Sequence, residues 1–119
     1  MIIQLNTDNH IAGDEKLAAS VSAQLERSLA RFAGQITRIE VHFQDLNGER
    51  GGAKDKRCML EARLAGHEPV AVTNTADTVN GALIGARDKL ARVLEKHASR
   101  QRPPKGRDPF DQIVPGDLP

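Results

Sequence analysis

The residues of this 119-residue sequence that could hold a metal or move a proton are four histidines, one cysteine and 16 carboxylates. Their spacing argues against both roles. His10, His42, His67 and His97 are scattered, and none stands at a usual metal-ligand spacing from a second His, a Cys or a carboxylate. Cys58 alternates onto the same side as Leu60 and Ala62, which makes it a buried thiol rather than a nucleophile. Gly48, Gly51 and Gly52 are not followed by the Gly-Lys-Ser/Thr or dinucleotide pattern that cradles phosphates, so a turn explains them. Glu40 and Glu61 fall among Arg38, Arg57 and Arg63, a setting for ion pairs rather than for a general acid. No nucleophile has a base beside it. The expectation is a protein that is not an enzyme and carries no metal or cofactor.

The cations near the C-terminal end are better organised. On a helix of 100° per residue, with Arg87 at 0°, Arg92 falls at about 140°, Lys96 at about 180°, Lys89 at about 200° and Arg100 at about 220°. Asp88 and Glu95 lie at about 80–100°, outside that arc, and the apolar stripe runs from about 240° to 340°. At 1.5 Å per residue, Lys89 to Arg100 spans about 16 Å, enough to follow consecutive phosphates of a polyanion. Lys56, Arg57 and Arg63 extend the patch if the sheet edge lies beside this helix. A solvated helix face serving solubility alone is the competing explanation. Binding to a membrane surface is disfavoured, because the apolar stripe is needed for the core.

Gross composition hides this feature. The net charge is +1, from 17 Lys plus Arg against 16 Asp plus Glu. Yet residues 1–52 carry −2, residues 53–107 carry +6 and residues 108–119 carry −3. The partner is therefore sought in the middle segment. With 3 Phe and no Trp or Tyr, the composition argues against recognition by several stacked aromatics, and Phe32 and Phe43 fall on core stripes. One cysteine excludes an internal disulfide and suits a reducing cytoplasm, and no signal peptide or membrane span is recognisable.

These side chains must be positioned by a small set of elements. Ile3 and Leu5 alternate with Ile2 and Gln4 as a short strand, broken from Asn6 onward. Asp14 caps a helix over 14–33, whose stripe is Leu17, Val21, Leu25, Leu29 and Phe32 and whose end is marked by Gly34. Residues 37–44 alternate with Ile39, Val41 and Phe43 inward. Residues 57–64 alternate with Cys58, Leu60, Ala62 and Leu64 inward, and residues 70–75 make a third strand of this block. The connection over 45–56 is glycine-rich and long for a hairpin. Asp77 caps the second helix, with Val79, Leu83, Ala86, Leu90, Val93, Leu94 and His97 along its stripe. Gly81 and Gly85 inside it signal either close approach of a neighbour or a frayed first turn. Residues 101–119 hold 5 of the 6 prolines and are expected to form a loose tail. The architecture is α+β: one β-α-β-β-β-α domain over 1–100, a four-stranded sheet with both helices on one face.

This order resembles the ribosome hibernation factor family, once described as sigma-54 modulation proteins. The likeness rests on Thr37-Arg38-Ile39-Glu40-Val41, on Asp55-Lys56-Arg57 before the third strand, and on Asp88-Lys89-Leu90-Ala91-Arg92-Val93-Leu94-Glu95-Lys96-His97. It covers about residues 1–100, and the chain resembles a short form without a second domain. The resemblance implies a layout similar to double-stranded-RNA-binding domains. It also implies binding to small-subunit ribosomal RNA in the decoding channel, which blocks mRNA and tRNA. The sequence leaves the oligomeric state open, with a monomer expected for the free chain. Lys89, Arg92 and Lys96 match the family's RNA-facing positions, and Arg100 adds a turn. The alternative is a protein-interaction module that regulates transcription, as the older family description suggests.

Overall fold

The computed structural model describes residues 1–8, 11, 13–46 and 56–101, the last four as backbone only. Residues 47–55 of the glycine-rich connection and residues 102–119 of the proline-rich tail therefore lie outside the described residues. Four strands, β1 (Ile2–Thr7), β2 (Ile36–Asp45), β3 (Lys56–Leu64) and β4 (Val70–Ala76), form one sheet in sequence order. Two helices, α1 (Glu15–Ser28) and α2 (Val79–Gln101), complete the α+β domain expected from the sequence. β1 runs parallel to β2, joined through α1, while β2, β3 and β4 are antiparallel neighbours.

Alternation dictates which side is dry. The in-register pairs Leu5↔Val41, Val41↔Leu60 and Leu60↔Val72 carry an apolar row across all four strands. Both helices cover that face: Val21, Leu25 and Leu29 from the α1 region, and Ala82, Leu83, Ala86, Leu90 and Leu94 from α2, are at most 1% exposed. The other face is polar, with Arg38, Glu40, His42, Arg57, Glu61 and Arg63 pointing away from the helices.

Several local expectations are corrected. β1 continues through Thr7, because Asn6 and Thr7 still pair with His42 and Phe43. α1 stops at Ser28 rather than at 33. Leu29 leaves helical geometry (φ −111°, ψ 17°), and Ala30–Phe32 form a 3₁₀ turn that still buries Phe32. Gly34 does not adopt a left-handed conformation; among the described glycines only Gly66, in the β3–β4 turn, does (φ +76°). The cap of α2 is Thr78 instead of Asp77: its Oγ1 accepts from the Gly81 N–H at 2.9 Å. Asp14 does cap α1, accepting from the Leu17 N–H at 2.9 Å. Finally, a bulge between Ile36 and Arg38 turns Ile36 into the core, where it pairs with Leu64, although strict alternation would put it beside Arg38.

Candidate nucleic-acid interface

α2 lies across β3 and β4, so its apolar stripe fixes where its cations stand. Gly85 faces Asn74 of β4, and Gly81 faces Ala76. Close approach, not fraying, is the reason for these two glycines. The side of α2 that carries Lys89, Arg92 and Lys96 thus flanks the free edge of β4, and all three residues are exposed. Lys89 marks the contact: its Nζ donates to the Thr73 carbonyl at 2.8 Å. That bond covers an outward carbonyl of an edge strand and leaves the ammonium charge uncompensated.

The acids of α2 are engaged elsewhere. Asp88 sits 3.4 Å from Arg87, and Glu95 sits 3.0 Å from Arg31 in the turn after α1. Both partners lie off the cationic arc. Among the described residues, none of Lys89, Arg92 and Lys96 has a carboxylate within 4.0 Å. The arc is therefore a strip of positive potential about 10 Å long from Lys89 to Lys96. The α2 backbone continues to Gln101 and carries Arg100, whose side chain lies outside the described residues.

The sheet cations do not join this strip. Lys56 alternates onto the helix side and pairs with Asp45 at 3.5 Å, at the end of β2. Arg57 and Arg63 point from the opposite face of the sheet. Arg63 lies 3.7 Å from Glu40 and 3.8 Å from Glu61, while Glu40 also contacts Arg38 at 3.4 Å and the His42 Nε2 at 3.6 Å. Arg38 further bonds Gln4. Glu40 and Glu61 are direct cross-strand partners, so the ring of cations offsets their mutual repulsion. The ion pairs expected for these acids are present; a patch continuous from α2 through Arg57 and Arg63 is not.

Two further groups complete the picture. Cys58 is fully buried, and burial pushes its thiol up to about 12, so it stays protonated and inert. His97 meets His67 of the β3–β4 turn edge to face, ring centroids 4.9 Å apart. Their separation of thirty positions in the sequence hides this contact, which seats the end of α2 on the turn. Among the described residues no group of three His, Cys, Asp or Glu side chains could hold a metal ion, and no helix is long and apolar enough to cross a membrane.

The fold has solved counterparts. A ribosomal subunit interface protein from Coxiella burnetii superposes with a TM-score of 0.69 at 17% identity, covering 83% of this chain and 99% of that one. The N-terminal domain of Protein Y from Thermus thermophilus gives 0.65 at 19% identity, covering 82% and 99%. At such identities the likeness is one of fold. No curated protein matches the sequence. The family model for the Sigma 54 modulation protein / S30EA ribosomal protein matches residues 5–102. That match takes in the end of β1, the other three strands and both helices, and this chain belongs to the Sigma 54 modulation protein / S30EA ribosomal protein family.

Proposed function

We propose that this chain is a ribosome-associated translation inhibitor of the hibernation type. In this reading it lies in the decoding channel of the small subunit and excludes mRNA and tRNA by occupancy, without chemistry. The observation that carries it is the segregation around α2: three exposed cations in one arc, with the helix's acids paired to cations elsewhere. Family membership supplies the ribosome as the polyanion. A helix face of this kind binds phosphates through charge and shape and needs no aromatic platform. Lys89, Arg92 and Lys96 carry the contact, Arg100 extends it by a turn, and Lys56, tied to Asp45, adds to the field rather than to the contact.

The test is co-sedimentation with ribosomes at low and high salt, for the parent and for a variant combining Lys89→Glu, Arg92→Glu and Lys96→Glu. The parent should pellet with the small subunit at low salt, be released at high salt and inhibit translation in vitro. The variant should fold normally, since all three side chains are exposed, and do neither. A variant that inhibits as the parent does would remove the arc from the account. Binding insensitive to salt and to ribonuclease would instead support a protein partner, as in the transcription-regulating alternative.

A further inference from the structure

β1 is shorter than the strand it pairs with. It ends at Thr7, opposite Phe43, while β2 continues to Asp45. The step is held open by two bonds: the Asp8 N–H donates to the Phe43 carbonyl at 3.2 Å, and the Asp45 N–H donates to Asp8 Oδ2 at 2.8 Å. Beside it lies a cavity of about 300 Å³ whose lining includes Asn6, Asp8, His42, Gln44, Arg57 and Met59. That volume is at the lower end of the ~300–1,000 Å³ typical of small-ligand sites, so it suits one compact ligand.

The charges of the open sheet face decide which ligand. At one end Glu40 and Glu61 are surrounded by Arg38, His42 and Arg63, and the charges cancel. Arg57 stands at the other end, in register with Gln44 and Thr75, both uncharged. Among the described residues Arg57 has no carboxylate within 4.0 Å. Asp8, the one carboxylate on the cavity lining, is engaged by the Asp45 N–H, while the cross-strand neighbours of Arg57 are neutral. A guanidinium so placed is a seat for an oxyanion, and its planar fork favours phosphate. Next to it, His42 and Met59 are direct cross-strand partners, and together they make a flat, polarisable floor. Asn6 pairs with His42, and Gln44 with Arg57, so a carboxamide stands on each side of that floor. Carboxamides both donate and accept, as the edge of a nucleobase requires.

The geometry points to a nucleotide-binding notch: a base resting on His42 and Met59 between Asn6 and Gln44, with its phosphate on Arg57. The notch is on the face opposite α2 and is independent of the cationic arc. Its ligand is either a free mononucleotide or one nucleotide splayed from a single-stranded RNA, which presents the same base and phosphate.

Chemical-shift mapping on the full chain tests this. The probes are the four nucleoside 5′-monophosphates, inorganic phosphate and a short single-stranded RNA. At least one mononucleotide should shift Asn6, His42, Gln44, Arg57 and the Met59 methyl, saturating at millimolar concentration or below. Arg57→Gln should weaken that binding tenfold or more, and Gln44→Ala, at an exposed position, should weaken it without touching the charge. The Glu triple variant of α2 should leave it unchanged, which separates failure of this site from failure of the arc. Displacement of the mononucleotide by the RNA would identify a strand as the ligand, and lack of displacement a free nucleotide. No shift at the notch, shifts confined to α2, or inorganic phosphate binding as tightly as every nucleotide would each overturn the assignment.

Discussion

Substituting Gly85 by alanine should destabilise the domain, although alanine is the better helix former. On an exposed helix the change would stabilise by about 1 kcal/mol. Here a Cβ at position 85 would stand 2.1 Å from Asn74 Nδ2 and 2.5 Å from its Cγ. Asn74 lies between β4 and α2 and donates from Nδ2 to the Ala82 carbonyl at 3.4 Å, so it cannot swing away without breaking that bond. Overpacking of this kind costs about 1–3 kcal/mol, which exceeds the gain in propensity. The net loss should be about 1 kcal/mol, read as a fall in Tm of roughly 4–8 °C for a domain of this size. Removing the obstacle reverses the sign. In an Asn74→Ala background, Gly85→Ala should stabilise by about 1 kcal/mol, a coupling of about 2 kcal/mol in a double-mutant cycle followed by urea denaturation. If Gly85→Ala stabilises the parent, or the two substitutions add without coupling, α2 does not lie on β4 as described, and the placement of its cations fails with it.

Other expectations follow from single contacts. Asp14→Ala should cost about 1 kcal/mol, because the Leu17 N–H loses its acceptor at the start of α1; thermal denaturation measures it. Glu95→Ala should change stability by less than about 0.5 kcal/mol, since the Arg31 and Glu95 side chains are 59% and 61% exposed. Cys58 should resist alkylation by iodoacetamide in the native protein at pH 8 and react on unfolding: its thiol titrates at about 12 when folded, so the reactive thiolate forms only as pH rises far above the usual cysteine range. Cys58→Ser should cost about 1–3 kcal/mol by placing a hydroxyl where the surroundings are apolar.

The strands were legible because their alternation is regular. Ile39-Glu40-Val41-His42-Phe43 and Cys58-Met59-Leu60-Glu61-Ala62 assign their faces by period two, and Glu40 and Glu61 meet as that pattern implies. Ile36 was not legible, since a bulge inverts the pattern at that end through backbone geometry that no side chain announces. The end of α1 is not legible, because Leu29 and Phe32 remain on one buried side whether the backbone is α-helical or 3₁₀. Asp77 and Thr78 are both capping types, and only backbone geometry selects between them. The arc on α2 could be read because a helix's angular order depends on sequence position alone. Its surroundings could not. Lys89 reaches a carbonyl sixteen residues away, Glu95 finds Arg31 across the helix pair, and Arg57 and Arg63 leave the patch because β3 points them through the other face. The notch at the end of β1 was equally hidden, being formed by a difference in strand length.

The arc on α2 is the claim on which the functional account stands, and the salt dependence of ribosome binding measures it most directly. Each phosphate neutralised contributes about 0.7–0.9 to the slope of log K against log salt. Replacing Lys89, Arg92 and Lys96 together by glutamine should therefore lower that slope by about 2–3 and weaken binding most at low salt. An unchanged slope, with the variant bound as tightly as the parent across the salt range, would contradict the account.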